Sequence, residues 1–457
     1  MRVLLLVLLA IALAVPAAAG PVQVEVTQDK NSFVADFALP AEAPAWGFWR
    51  SSTAASDNES WRAKSWAVLT PGVTLVRRGQ QDALIGVDGR PVPRRVRVRF
   101  TPFTGDLNAN YVPALDLGGG TVAIFDGHFS LFSVDDAGKL DTLLPGFDPA
   151  SVGDPGTAVQ FKGRHVQIAG DVEGYRAGRS SGAYGIFGRL PTVTGNGVDT
   201  MIDSELPKWL TDYLSSFTPK VIGALTTGLG PAGLDQPRIL ASWEGAGIEG
   251  ASMNGGTLKG LILMRFEGRQ ALSELPALRD MARWFVAHEA AHFWLGQAVT
   301  YDSPRDSWIM EGGADLLAIR TIAGLDPSYD GRKLLNEALR DCARLAVKPV
   351  ASALERNEHR AYYACGTVFA LVAEKVNGSN FFSFVRGLIA DNQADKSINS
   401  ADWIAALVRI SGEPSLGKAI ATLLDQGSTK PEDDLAYLLS EARIPFVIDE
   451  QGVPQLP

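Results

Sequence analysis

The chain has 457 residues, of which 46% are hydrophobic and 20% are charged. This length exceeds what one compact core holds and predicts two or three domains, while the composition excludes a disordered or fibrous protein. The formal net charge of −9 disfavours nucleic acid as a general partner.

The N-terminus has the pattern of a secretory signal peptide. Met1-Arg2 is followed by an apolar run from Val3 to Val15 and then by Ala17-Ala18-Ala19. We therefore assign residues 1–19 as a signal peptide and expect an exported protein, periplasmic or secreted, with no stable membrane span after cleavage. The apolar run is short for a transmembrane helix, and an uncleaved anchor is the alternative.

Short strand-like runs separated by Gly, Pro, Asp and Asn occupy residues 20–195. Examples are Val22 to Val26, Arg95 to Phe100, Val122 to Phe125 and Ala158 to Phe161. Regularly spaced short strands predict an N-terminal β-sandwich-like domain.

Residues 196–330 predict a mixed α/β unit. Glu205 to Phe217 has the pattern of an amphipathic helix, whereas Arg238 to Trp243 and Leu258 to Phe266 have that of strands. Residues 331–457 predict a helical C-terminal region, so the predicted fold class is a multidomain α+β protein.

The two cysteines, Cys342 and Cys365, lie in the C-terminal third of the chain. In an oxidising compartment they could form one disulfide that joins two helices. Two buried thiols are the alternative, and the sequence does not decide between them.

One segment carries the residue types of a metal site. His288 and His292 are four residues apart within a pattern of helix period, with Ser273 able to cap the start and Gly296 near the end. This spacing puts both imidazoles on one helical face, where both reach one metal ion. Glu289 is placed to polarise a metal-bound water rather than to ligate. Two core histidines beside a coincidental carboxylate are the competing interpretation, which the cost of burying an unpaired glutamate disfavours.

A catalytic zinc site needs three protein ligands and one open position, so a third ligand is expected downstream. Glu311 follows His292 with eighteen residues between them, in a second helix-like segment. Asp315 shares the helical face of Glu311 and is predicted to accept a hydrogen bond from the non-ligating nitrogen of His288. An exposed helix residue is the alternative for Asp315.

The pattern H-E-x-x-H, eighteen residues and then E resembles the gluzincin zinc metallopeptidases, and its surroundings resemble the aminopeptidase N family. That family's first helix typically reads H-E-x-A-H-x-W-F-G-N, against His288 to Gln297 here, and its second reads W-L-N-E-G-F-A, against Trp308 to Ala314. The resemblance implies a thermolysin-like α/β catalytic domain with one Zn²⁺. It also implies His288, His292 and Glu311 as the metal ligands and Glu289 as the general base.

Family members also carry a tyrosine in a Y-x-K-G-A segment, and this tyrosine stabilises the oxyanion of the tetrahedral intermediate. The segment from Tyr363 to Thr367 fits, with Cys365 in place of the family's Lys. The resemblance implies Tyr363 as the oxyanion donor. Tyr362 is the competing candidate, and a tyrosine packed in a helical core is the structural alternative.

The family's G-x-M-E-N segment is an edge strand that holds the peptide substrate, and its Glu binds the free α-amino group. The best match here is Gly250, Ala251, Ser252, Met253 and Asn254. These five residues are predicted to bind substrate by β-augmentation, with a plain hairpin turn as the alternative. Met253 takes the place of the family's Glu, and Glu249 is the nearest carboxylate that could substitute for it.

The sequence therefore predicts a zinc-dependent peptidase that hydrolyses peptide substrates by metal-activated water, with aminopeptidase specificity favoured. An endopeptidase with the same chemistry stays open because Met253 replaces the Glu. A catalytically silent, zinc-retaining peptide-binding protein is a further alternative, and the intact Glu289 argues against it. A structural zinc site is disfavoured because such sites are usually closed by four ligands. Residue preference, physiological substrate and oligomeric state are not fixed by the sequence.

Overall fold

The computed structural model describes residues 20–457 except 109, 145–146, 179–181, 196 and 234–236. The predicted signal peptide, residues 1–19, lies outside the described residues. The chain divides into two compact units. The first comprises the described residues of Met1–Ala114, Ile124–Val166 and Val172–Phe187, and the second comprises those of Leu115–Ala123, Gln167–Asp171 and Gly188–Pro457. The domain limits expected at residues 195 and 330 stay a prediction.

Short strands dominate the chain up to Phe187. In chain order the elements are β1 (Val22–Asp29), β2 (Ser32–Ala38), β3 (Ala45–Phe48), α1 (Trp61–Ser65), β4 (Trp66–Val68), β5 (Val73–Arg78), β6 (Gln81–Gly86), β7 (Arg95–Phe100), β8 (Ala114–Asp116), β9 (Val122–Phe125), β10 (Leu131–Val134), β11 (Thr157–Lys162), β12 (Val166–Gly170), α2 (Val172–Arg176) and β13 (Ala183–Phe187). Their sheets have the orders β11-β1-β2-β7-β4, β10-β3-β6-β5 and β12-β13-β9-β8.

Strand β7 shows why these segments are extended. Val96, Val98 and Phe100 are buried, while the arginines between them are exposed, which is the period-two pattern of a half-buried strand. Arg97 pairs with Asp36 of β2 across this solvent face at 3.0 Å. The strand-rich N-terminal region thus agrees with the sequence, whereas its packing as a sandwich stays a prediction.

The second unit holds a mixed sheet followed by helices. Its elements are β14 (Thr192–Gly195), β15 (Val198–Ile202), α3 (Lys208–Leu229), β16 (Arg238–Trp243), β17 (Ser252–Leu258), β18 (Leu261–Glu267), α4 (Pro276–Ala291), β19 (Thr300–Tyr301), α5 (Ser307–Leu325), α6 (Arg332–Leu345), α7 (Arg360–Val376), α8 (Phe381–Asp391), β20 (Ser397–Ile398), α9 (Ser400–Ser411), α10 (Pro414–Asp425), α11 (Pro431–Glu441), β21 (Val447–Ile448) and β22 (Pro454–Gln455). The protein is therefore a mixed α and β protein with several sheets, as predicted.

The main sheet of this unit has the order β14-β15-β16-β18-β17. The three central strands β15, β16 and β18 run parallel, and β17 runs antiparallel to β18 at the edge. Strands β16 and β18 are buried along most of their length, which explains their nearly continuous apolar sequences. Strand β17 is therefore an edge strand of this sheet.

Several predicted element limits are wrong. The helix expected over Glu205 to Phe217 is α3, which begins at Lys208 and continues through Pro219 to Leu229. Proline inside a helix costs about 3 kcal/mol, and burial of apolar side chains such as Val221 and Leu225 offsets this cost. The strand expected over Leu258 to Phe266 is interrupted by a two-residue turn, in which Gly260 takes a φ of +67°.

Helix α4 begins later and ends earlier than the sequence predicts. Leu275 is at its N-cap with no side-chain cap, so the expected capping role of Ser273 is wrong. Pro276 at the first helical position starts the helix because its ring fixes a helical φ. The helix ends at Ala291, before the expected Gly296, and His292 is the C-cap with φ −66° and ψ −13°. His292 thus keeps near-helical geometry and stays one turn beyond His288.

A disulfide joins Cys342 of α6 to Cys365 of α7. Both cysteines are fully buried. Of the two alternatives that the sequence leaves open, the structure therefore has the disulfide.

In the part of the chain that the structure describes, no helix combines the length and the apolar character needed to span a membrane.

Candidate metal centre

Three side chains from two helices converge at the end of α4 and the start of α5. Nε2 of His288 lies 3.1 Å from Nε2 of His292. Oε2 of Glu311 lies 3.4 Å from the first of these nitrogens and 3.5 Å from the second. All three atoms lie within 4.8 Å of one another, and among the described residues no fourth His, Cys, Asp or Glu joins the group. Two imidazole nitrogens and one carboxylate oxygen match the donor set that zinc takes in sites with an open position.

Glu311 shows that this group suits a cation. Its Oε2 is buried and has no hydrogen-bond partner among the described residues. Burial alone would raise the pKa of the Glu311 carboxyl, but positive charge on the neighbouring imidazoles, protonated while no metal is bound, lowers this pKa overall. A buried, ionised carboxylate oxygen without a hydrogen bond is stabilised by a bound cation. The residues present therefore fit zinc.

Each histidine turns its other ring nitrogen towards an acceptor. Nδ1 of His288 lies 2.8 Å from Oδ1 of Asp315, and Nδ1 of His292 lies 2.9 Å from the backbone oxygen of Leu295. These acceptors favour the tautomer with hydrogen on Nδ1, which leaves both Nε2 lone pairs for a metal.

Asp315 itself is held by one further donor. Trp284 donates from its indole nitrogen to Oδ1 at 3.1 Å. The hydroxyl of Thr367 lies 3.4 Å from Oδ2, but its single hydrogen goes to the backbone oxygen of Tyr363 at 2.8 Å. The structure thus places Asp315 where the sequence predicts it, behind His288. The sequence did not predict a role for Trp284 or Thr367. The only signal is helical spacing, because Trp284 lies four residues before His288 and Thr367 lies four residues after Tyr363.

The carboxylate of Glu289 lies beside the ligand group without belonging to it. Its side chain is buried, and Oε2 accepts a hydrogen bond of 2.8 Å from the hydroxyl of Thr257 in β17. Thr257 was not predicted, because its contact with α4 depends on the position of β17 in the sheet.

The structure distinguishes the two candidate tyrosines. The ring of Tyr363 stacks on the imidazole of His288, with centroids 5.7 Å apart. Burial and the negative charge of Glu311 raise the pKa of Tyr363, so its phenol remains a hydrogen-bond donor at neutral pH. The hydroxyl of Tyr362 instead donates to the backbone oxygen of Ala351 at 3.1 Å and accepts from the backbone nitrogen of Leu354 at 3.2 Å. Tyr362 therefore has a structural role, and the catalytic role of Tyr363 stays a prediction.

The predicted substrate segment falls at the beginning of the edge strand. Ser252, Met253 and Asn254 belong to β17, whereas Gly250 and Ala251 precede it. Their role as substrate contacts stays a prediction. The part of β17 that contacts the metal-binding helix lies further along, at Gly255 and Thr257.

The carboxylate that could replace the family's Glu is already engaged. Glu249 forms an ion pair of 3.1 Å with Arg269, and its side chain is 80% exposed. The strand β17 itself reads Ser-Met-Asn-Gly-Gly-Thr-Leu and contains no acidic residue.

No protein-family model and no curated protein matches this chain. Among solved structures, a mutant of the M1 zinc metallopeptidase from Deinococcus radiodurans is 14% identical, with a TM-score of 0.52 over 90% of this chain and 95% of that one. Native leukotriene A4 hydrolase from Saccharomyces cerevisiae is 12% identical, with a TM-score of 0.51 over 91% of this chain and 68% of that one. Legionella pneumophila aminopeptidase A, in complex with aspartic acid, is 12% identical, with a TM-score of 0.50 over 90% of this chain and 49% of that one. At these identities the likeness shows a shared fold, that of M1 zinc metallopeptidases.

Proposed function

We propose that this protein is a zinc-dependent peptidase that hydrolyses peptide bonds with activated water. The observation that carries the proposal is the convergence of Nε2 of His288, Nε2 of His292 and Oε2 of Glu311, with no fourth protein ligand among the described residues. The shared fold of M1 zinc metallopeptidases supports the same reaction class.

The proposed roles follow from the positions of the side chains. Zinc, when bound by His288, His292 and Glu311, would supply a Lewis acid that polarises the scissile carbonyl and acidifies water. Glu289 takes a proton from the attacking water and later delivers it to the leaving amine. Tyr363 donates a hydrogen bond to the oxygen on which negative charge develops.

Aminopeptidase activity is the first candidate for the specificity. It is supported by a two-domain M1 zinc metallopeptidase structure with bound L-tryptophan, 14% identical with a TM-score of 0.51, which covers 90% of this chain and 95% of that one. Endopeptidase activity is the second candidate, and one observation favours it. The edge strand β17 carries no carboxylate that could bind a free α-amino group.

One experiment tests the reaction and separates these candidates. A peptide library and its N-acetylated twin are incubated with the protein, with and without a chelator, and cleavage sites are read by mass spectrometry. If single residues are removed, and only from peptides with free N-termini, the protein is an aminopeptidase. If internal bonds are cut in both libraries, it is an endopeptidase. The absence of chelator-sensitive cuts would contradict the proposed reaction and favour a silent peptide-binding protein.

The oxyanion role of Tyr363 predicts a selective loss of rate. Tyr363→Phe is expected to lower kcat by about 10²–10³-fold, the range measured for single oxyanion donors, with zinc content unchanged. Steady-state kinetics together with metal analysis check this result. Tyr362→Phe is the matched control, because it removes the hydroxyl that joins Ala351 and Leu354 and should lower Tm rather than kcat. Equal kcat values for the two variants would exclude the assignment to Tyr363.

The contact between His288 and Asp315 predicts a change in metal affinity. Asp315→Asn keeps the size of the side chain but removes the charge that orients His288, and such partners typically contribute about 10–100-fold to metal affinity. We expect the Kd for zinc to rise by this factor in a competition assay with a chromogenic chelator. An unchanged Kd would show that Asp315 acts on folding alone.

We also propose that the protein is exported to the periplasm or secreted. The signal-peptide pattern of residues 1–19 supports this location. The disulfide between Cys342 and Cys365 supports it as well, because such bonds persist in oxidising compartments. Fractionation of cells that express the full chain, with mass determination of the N-terminus, tests both the location and the cleavage.

A further inference from the structure

The hydroxyl of Thr257 lies between two oxygen atoms of Glu289. Its Oγ1 is 2.8 Å from Oε2 of the carboxylate and 3.0 Å from the backbone oxygen of the same residue. Both of these oxygens only accept, and Oε2 is the closer one and shares the charge of the carboxylate, so the hydroxyl hydrogen points to Oε2.

We propose that Thr257 is the positioning residue of the general base. It holds Oε2 of Glu289 by a charge-assisted hydrogen bond and leaves Oε1 to meet the attacking water. The inference rests on the proposed function, because it assigns a task to Thr257 only if Glu289 moves a proton. A glutamate side chain has three rotatable bonds, so fixing one oxygen removes freedom that would otherwise be lost during the reaction.

The hydrogen bond from Thr257 also suits the state in which Glu289 holds the proton taken from water. That proton sits on Oε1, the oxygen left to meet the water, so Oε2 remains an acceptor for the Thr257 hydroxyl. The hydroxyl itself neither gains nor loses a proton. Thr257 can thus satisfy the side chain of Glu289 both before and after it takes the proton.

Thr257 is suited to this task because its strand is fixed against α4. A Cβ atom at Gly255 would lie 1.9 Å from the backbone oxygen of Leu263 and 3.1 Å from the ring of Phe285, so β17 approaches both β18 and α4 closely.

The turn that follows Thr257 is held by the side chain of Gln297. The amide of Gln297 donates to the backbone oxygen of Leu258 at 2.7 Å and accepts from the backbone nitrogen of Gly260 at 3.0 Å. Gln297 follows His292 by only five residues, so the turn is anchored to the chain that leaves the metal-binding helix. The Thr257 hydroxyl is thereby held in register with Glu289.

The test compares Thr257→Val, Thr257→Ser and a matched control. Loss of a hydrogen bond to a charged group predicts that Thr257→Val lowers kcat by about 10–100-fold, with KM and zinc content little changed. Thr257→Ser keeps the hydroxyl and should restore most of the rate. Thr321→Val is the control, because Thr321 is a buried threonine of α5 whose hydroxyl has no hydrogen-bond partner among the described residues. If Thr257→Val has the kcat of the control, the inference is overturned.

A double-mutant cycle separates positioning from a general structural effect. In the Glu289→Gln background, Thr257→Val should cost little further rate, because the proton acceptor is already gone. A full additional loss in that background overturns the inference. It does not touch the proposed function, which fails only if the wild-type protein shows no chelator-sensitive hydrolysis.

A second measurement does not depend on activity. In the metal-free protein, Thr257→Val should shift the infrared carboxylate band that Glu289→Gln removes, because the band position depends on the hydrogen bond at Oε2. An unshifted band would overturn the inference even if the rate had fallen.

Discussion

Glu289→Gln is expected to retain zinc and to lose about 10²–10⁴-fold in kcat, the contribution typical of a positioned general base. Glutamine keeps the shape of the side chain and can still accept a hydrogen bond from Thr257, but its amide cannot take a proton from water. Stopped assays with a fluorogenic peptide, together with metal analysis of the dialysed protein, measure both quantities.

The predicted metal ligand Glu311 provides the contrast for this prediction. Glu311→Gln removes a metal ligand, so we expect it to lose zinc as well as activity. If Glu289→Gln loses rate but keeps zinc, whereas Glu311→Gln loses both rate and zinc, Glu289 acts as the base and Glu311 as a ligand. Wild-type activity in Glu289→Gln would refute the proposed mechanism.

Gly312→Ala is expected to lower the stability of the protein by about 3 kcal/mol, the upper end of what overpacking a core costs. Helices α5 and α7 cross at Gly312 and Gly366 with their backbones in contact. A Cβ atom at Gly312 would lie 2.1 Å from the carbonyl carbon of Gly366 and 2.3 Å from the backbone nitrogen of Thr367. Backbone atoms cannot move aside as a flexible side chain does, so the helices must separate.

The same substitution should disturb the metal group, because Gly312 directly follows Glu311. We expect a lower urea midpoint and a weaker zinc affinity in the same variant. Gly324→Ala is the matched control in α5, since a Cβ atom there would meet nothing within 4 Å. Removing a helical glycine in open space gains up to about 1 kcal/mol, so opposite signs at the two positions are the expected result.

The proximity of the predicted metal ligands follows from the sequence because its signal is local. Spacing of four residues on one helix places His288 and His292 together whatever surrounds them. Glu311 and Asp315 are likewise one turn apart on a second helix, and only the approach of the two helices had to come from a resemblance. The structure brings these four residues together as expected.

The features that the sequence does not reveal depend on contacts between distant segments. Thr257 reaches Glu289 only because β17 pairs with β18 in one register, and Ser-Met-Asn-Gly-Gly-Thr-Leu gives no sign of that register. The close crossing at Gly312 and Gly366 is another example, since a glycine within a helix indicates a cost but not which backbone approaches it.

Local rules also misplace element ends where two signals compete. Ser273 is a good N-cap residue by type, yet the helix begins three residues later because Pro276 fixes its first turn. The predicted helix ends at Phe217, just before Pro219, whereas tertiary burial carries α3 ten residues beyond that proline.

The buried disulfide offers a way to measure how often helices α6 and α7 separate. Neither Cys342 nor Cys365 exposes any surface, so a thiolate in solution has no path to either sulfur while α6 and α7 stay packed. Thiol–disulfide exchange requires direct attack on sulfur, and its rate is therefore limited by how often this region opens. Cys365 lies two residues after Tyr363 on the same helix. The rate of thiol release at a fixed concentration of dithiothreitol would therefore measure how often the helix that carries Tyr363 opens.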